Sequence, residues 1–194
     1  MTFPVLISSL DLLHGVTASV LVDQLDAPTP CSQWTVAQVL LHAAGDQHAW
    51  ASIVGSGSPP GYDPFAPPLQ PDGNISQLVT DAIDAATTAW GDVDPAAQTV
   101  PTPLPPVPTM APDLAAAACA LDAAIHAWDV AVATGQASPL TGDLASQLDP
   151  AARATAEPLR GFAYAAALPA QPGDDPAAAL LRYLGRDPQW AARA

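Results

Sequence analysis

Three side chains of metal-binding type stand out in this chain: His42, Asp122 and His126. Asp122 and His126 are four residues apart, so a helix puts them on one face, one turn from each other. A carboxylate and an imidazole from one helix, joined by an imidazole from a neighbour, make a three-ligand site for a divalent ion. A catalytic zinc needs three protein ligands and an open position. Taken alone, the residues leave a second reading open, in which both histidines are packed or surface helix residues and Asp122 is a solvated charge. The chemistry depends on whether the three groups meet.

The elements that would bring them together are helical. Leu6, Leu10, Leu13, Val16 and Val20 form an amphipathic stripe over about Val5 to Leu25, ended by Pro28-Thr29-Pro30. Thr35 and Gln38 form a T-x-x-Q capping box that opens a second helix, which carries His42 and Asp46 and stops at Gly55-Ser56-Gly57. His48 falls on its far flank. A Pro-rich stretch, Pro59 to Pro71, reads as irregular and long for a connection, a functional lid or a mobile loop. A third helix spans about Ile75 to Trp90. After a second Pro-rich connection, Pro95 to Pro112, a fourth runs from about Asp113 to Thr134, with Gly135 as a left-handed stop. Asp149-Pro150 and Asp175-Pro176 each read as an N-cap followed by proline at the first helical position, and Gly185 closes the last piece. No segment reads as a β-strand. The expectation is an all-α four-helix bundle with long Pro-rich connections and a short helical C-terminal tail. Residues 1–140 would be the metal-binding bundle and 141–194 an extension packed on it, one domain overall.

Composition narrows the partners. Nineteen acidic and five basic residues give a net charge of −14; the basic residues are all arginine, and Glu157 is the one glutamate. Such a chain lacks the positive field that phosphate backbones and anionic lipids require, so neither nucleic acid nor membrane is expected as a partner. No apolar run reads as long enough to span a bilayer, and Met1-Thr2-Phe3-Pro4 lacks the basic start of a secretory signal. Cys31 and Cys119 read as free thiols of a cytoplasmic protein, Cys31 as a small packed apolar residue. No nucleophile elbow, phosphate-cradling glycine loop or C-x-x-C is present. His14 reads as structural or surface.

Three longer motifs carry a resemblance. The run from Thr29 to Val36 followed by Leu40-Leu41-His42 resembles a T-P-C-x-x-W-x-V…H opening. His126 to Gly135 resembles H-x-W-D-x-A-x-A-T-G, and Leu184 to Trp190 resembles L-G-R-D-P-x-W. Together and in this order they look like the DinB-like metalloprotein superfamily, in the actinobacterial branch related to the N-terminal domain of mycothiol-dependent maleylpyruvate isomerase.

That resemblance implies a four-helix bundle holding a divalent metal, usually zinc, through His42, Asp122 and His126, in a protein that pairs as a homodimer. Asp122 stands where the family more often has glutamate. The shorter side chain needs closer helices or a bridging water, and the substitution fits either the chain's aspartate bias or a decayed site. Asp46 and Asp129 would orient the histidines or simply cap and face solvent. The resemblance further implies mycothiol, a low-molecular-weight thiol, as cosubstrate, and an S-transfer or thiol-assisted isomerisation in which the metal activates a thiolate toward an electrophile. The alternatives are a non-enzymatic metal- or ligand-binding bundle and a metal-dependent hydrolase. No further catalytic side chain or organic cofactor is assigned. Arg153, Arg160 and Arg182 could hold a substrate carboxylate, but each reads as a surface or helix-end charge. Maleylpyruvate isomerase activity itself is therefore not expected.

Overall fold

The computed structural model describes residues 2–192; Met1 and Arg193 lie outside the described residues. It is all-α apart from one small hairpin. Helices α1 (Pro4–Ala18), α2 (Val36–Val54), α3 (Ile75–Gly91) and α4 (Pro112–Ala133) pack in a closed ring, in which α1 touches α3 and α4 and α2 touches α3 and α4. Helix α5 (Gly142–Leu159) lies on α4, and α6 (Pro176–Tyr183) lies on α5. A 3₁₀ turn at Val22–Gln24 takes the place of the predicted last turns of the first helix. The hairpin pairs β1 (Val100–Pro101) antiparallel with β2 (Thr109–Met110) inside the second Pro-rich connection, where no strand was expected.

Local chemistry explains most boundaries. Thr35 accepts from the Gln38 amide while the Gln38 side chain accepts from the Thr35 amide, the reciprocal cap that starts α2. Asn74 and Asp175 accept from the third amide of α3 and α6 in the same way. Helix α4 ends in a Schellman turn: Gly135 sits at φ +75°, and the Gln136 amide donates to the Ala131 carbonyl at 2.8 Å. Helix α6 repeats the device with Gly185 at φ +82° and the Arg186 amide donating to Leu181 at 2.8 Å.

The expected start at Asp149-Pro150 is corrected. Pro150 lies inside α5, whose N-cap is Thr141 accepting from the Leu144 amide. Asp149 instead pairs with Arg153 at 3.1 Å on the exposed face. An internal proline costs roughly 3 kcal/mol. Leu144, Leu148, Ala151, Ala152 and Ala156, all buried on the inner face of α5, supply the packing that offsets it.

Helix α4 is the centre of the molecule. Apart from Asp113 and the stripe of Asp122, His126 and Asp129 it is apolar, and it is buried along nearly its whole length because α1, α2 and α5 pack on it. Its run of alanines, Ala115 to Ala118 among them, lets those neighbours approach closely. One expectation changes here: this 22-residue helix is long and apolar enough to cross a membrane by length and composition. In the fold, 89% of its apolar window is buried against protein.

Two glycines test the packing. A Cβ at Gly55, just after α2, would lie 2.7 Å from the Ala89 Cβ and 3.0 Å from its Cα, whereas one at Gly15 on α1 meets nothing within 4 Å. Urea titration should show Gly55→Ala destabilised by about 1–3 kcal/mol, and Gly15→Ala stabilised by roughly 0.5–1 kcal/mol through reduced backbone entropy.

Candidate metal centre

Helices α2 and α4 face each other and bring the three predicted groups together. The His42 and His126 Nε2 atoms each lie 3.3 Å from the Asp122 Oδ1. The two rings meet edge to face with centroids 4.7 Å apart. One ligand atom from each of the three residues falls within 4.8 Å of the other two. Both histidines are buried and Asp122 is half-buried.

Outer contacts fix each ring. The Nδ1 of His42 sits 2.7 Å from the Pro64 carbonyl, an acceptor only, so that nitrogen carries the hydrogen. The Pro-rich loop that supplies Pro64 is fastened to α2: the Tyr62 hydroxyl donates to the Leu41 carbonyl at 2.6 Å, and the Gln38 side-chain Nε2 donates to the Pro67 carbonyl at 3.2 Å. Gly45 makes the approach possible, since a Cβ there would stand 3.0 Å from the Pro64 Cγ. The Nδ1 of His126 donates to the Asp129 Oδ2 at 3.0 Å. With both Nδ1 atoms as donors, the Nε2 of each neutral ring presents a lone pair toward Asp122.

These distances suit a cation cradle as well as a long hydrogen-bonded cluster. A charge-assisted N–H···O⁻ bond is about 2.7–2.9 Å, shorter than either contact to Asp122. A tetrahedral zinc site with bonds of about 2.05 Å has ligand-to-ligand edges of about 3.3 Å, which is the separation observed for both nitrogen–oxygen pairs. The other Asp122 oxygen, Oδ2, is buried without a hydrogen-bond partner. The residues therefore fit a small divalent ion with N, N and O ligands.

Asp129 is the hub behind His126. It is fully buried and receives the Arg186 guanidinium through Nη2 to Oδ2 at 2.8 Å and Nε to Oδ1 at 2.9 Å. The Cys31 thiol donates to the same Oδ2 at 3.2 Å and lies 3.3 Å from Arg186 Nη2. Cys31, His126 and Asp129 also satisfy the spacing of a metal-binding trio, but Arg186 already supplies the positive charge there.

Electrostatics follow from this geometry. Burial raises the Asp122 carboxyl, but the His126 and His42 rings override it and hold Asp122 below the usual carboxylate range. Burial likewise opposes ionisation of Asp129, and Arg186 and His126 override it. Burial penalises charge on His126, yet the Asp122 charge and the hydrogen bonds to Asp122 and Asp129 push the ring well above its ordinary value. At Asp46, one turn beyond His42, the His126 charge and Trp50 oppose burial but do not prevail. Asp46 is buried with Oδ2 unpartnered, and burial followed by repulsion from Asp122 pushes it well up. It contacts neither histidine's outer nitrogen, so of the two predicted orienting carboxylates only Asp129 does that work.

A cavity of about 460 Å³ opens from this centre, with Cys31, Trp34, Phe65, Phe162, Tyr164 and Arg186 on its walls. His14 is exposed and His48 is half-buried away from it. Arg182 is buried rather than superficial, paired with Asp174 at 3.1 Å, while Arg153 and Arg160 flank the Tyr183 ring. Arg186, the Pro64 carbonyl and the aromatic walls were not foreseen as site components. Arg186 and Cys31 lie in the motifs that carry the resemblance, which was the available signal. Cys31 is a polar partner of Asp129 rather than a packed apolar residue.

Residues 10–131 match the mycothiol maleylpyruvate isomerase N-terminal domain family. The chain belongs to that family, whose DinB-like character agrees with the helical bundle and with the cluster between α2 and α4. Two curated relatives from Mycobacterium tuberculosis, uncharacterized protein Rv0738 (strain ATCC 25618 / H37Rv) and uncharacterized protein MT0763 (strain CDC 1551 / Oshkosh), are each 33% identical over 69 residues, covering 34% of this chain. The match spans about a third of each relative's length (32%). No solved structure matches significantly.

Two outcomes follow. Because the raised His126 must give up its proton to accept an ion, metal affinity should climb with pH until that raised value is passed and level off above it; below it the loss is roughly tenfold per pH unit, read by calorimetric titration with zinc. Arg186→Ala strands a buried Asp129 charge and should lower unfolding free energy by about 3–5 kcal/mol in a urea titration.

Proposed function

We propose that this chain holds a divalent ion, zinc in the first instance, through His42, Asp122 and His126, and uses it on a low-molecular-weight thiol, mycothiol by family membership, in an S-transfer or thiol-assisted isomerisation. The observation that carries the reading is the pair of 3.3 Å nitrogen–oxygen separations around the Asp122 Oδ1. An ion held there supplies Lewis acidity: a thiol that reaches it loses its proton and stays a thiolate at neutral pH. The protein's own contributions are positional. Pro64 and Asp129 keep both Nε2 lone pairs turned inward. Asp122 offsets part of the cation charge, and the cavity leaves an approach from the side of Cys31, Trp34 and Phe65. Asp46, which lines that cavity and is pushed toward its neutral form, could exchange a proton with a bound thiol.

Arg186 lies beyond the predicted boundary at residue 140 and reaches Asp129 behind His126. On this reading the bundle and its C-terminal extension work as one unit, in the cytoplasm where reduced thiols are available.

Purified protein should contain about one zinc per chain by plasma mass spectrometry, and both His42→Ala and His126→Ala should lose it. The zinc-loaded protein should then gain about 2.7 kcal/mol of stability with mycothiol at a hundred times its Kd, and the metal-free protein should gain nothing. Full zinc content in both histidine variants would refute the ligand set. A metal-loaded protein indifferent to thiols would favour a binding bundle or a hydrolase instead.

A further inference from the structure

The rim of the cavity is aromatic and comes from three separate segments. Trp34 precedes α2 and its ring centroid lies 4.7 Å from that of His42. Phe65, from the Pro-rich loop, is 5.6 Å from His42 on one side and 4.8 Å from Phe162 on the other. Phe162 follows α5 and remains 63% exposed. Its position is held rather than loose: Gly161 turns the chain at φ +80°, its amide donates to the Tyr164 carbonyl at 2.9 Å, and the Phe162 amide donates to Leu159 at 3.1 Å. A phenyl ring fastened in the open at the mouth of a 460 Å³ cavity is a surface for an apolar occupant.

Charge restricts that occupant further. Among the described residues lining the cavity, Arg186 is the one arginine; its Nε and Nη2 are taken by Asp129 and Cys31, and its Nη1 lies 3.5 Å from the Leu184 carbonyl. Arg160 nearby is bound to Glu157 at 2.8 Å and to the Ala165 carbonyl at 2.7 Å. A divalent ion, Asp122 and one thiolate sum to zero, and Asp46 and Asp129 add no positive charge. A carboxylate substrate would find no bidentate guanidinium to replace its water.

We propose that the second substrate of this site is an uncharged, flat aromatic or conjugated compound, stacked against Phe65 and Phe162, and that dicarboxylates are excluded. The charge preference and the role of that compound as the electrophile rest on the metal-and-thiol reading above; its contact with Phe65 and Phe162 does not.

Dimethyl phthalate and phthalate share a ring and differ in charge, so calorimetric titration of each into the full-length zinc-loaded protein saturated with mycothiol tests the idea. The diester should bind at least roughly tenfold tighter than the dianion. Phe162→Ala, at an exposed position, should weaken the diester by about two- to tenfold with zinc content unchanged. Equal or tighter phthalate binding, or diester binding indifferent to Phe162→Ala, would overturn the proposal. Phe162-dependent diester binding in a protein that ignores thiols would support the aromatic mouth while refuting the thiol chemistry.

Discussion

Asp129 joins parts of the chain that are far apart in sequence. It lies on α4 one turn beyond His126, accepts the His126 Nδ1–H, and is itself held by Arg186 from the turn after α6. A fully buried carboxylate survives only when its charge and lone pairs are satisfied. Arg186, His126 and Cys31 do this together, and each is thereby fixed in place. The Schellman turn at Gly185 sends Arg186 inward, and a Cβ on Gly185 would sit 2.8 Å from the Ala165 Cβ. The C-terminal segment thus orients a ring on the central helix without touching the candidate ion position.

The second constraint is distance between helices. An aspartate is one methylene shorter than a glutamate, so an ion shared by Asp122 and His42 would need α2 and α4 to run close. They do: the Cys119 thiol on α4 donates to the Gln47 side chain on α2 at 3.1 Å, and the alanines of α4 add little bulk between backbones. The alanines of α4 let α2 approach, and Asp122 Oδ1 stands 3.3 Å from the His42 Nε2 across that gap.

Much of this architecture was legible in the residues. The Thr35–Gln38 box, the Asp175-Pro176 start and the glycines at 135 and 185 are local chemistry, decided within four or five residues, and each appears where its type predicts. The Asp122–His126 spacing works the same way, because an established helix fixes the face. What could not be read depends on tertiary contact. Pro150 looks like a helix start but sits mid-helix, because burial of Leu148, Ala151 and Ala152 outweighs its local cost. Arg186 could be read only as part of a tail motif, and its partner Asp129 appears once the fold brings the two together. Phe65 and Phe162 lie 97 positions apart in irregular segments, with no periodicity to relate them. Helix α4, apolar enough for a bilayer, is a core helix because three others enclose it.

The central claim is that His42, Asp122 and His126 form a ready cradle for one divalent ion. X-ray anomalous scattering at the zinc edge from crystals of the metal-loaded protein tests it most directly. The account predicts a single peak in contact with both Nε2 atoms and an Asp122 oxygen, at about 2.0–2.2 Å from each. A peak on Cys31, His126 and Asp129 with Arg186 displaced, or no peak between α2 and α4, would contradict it.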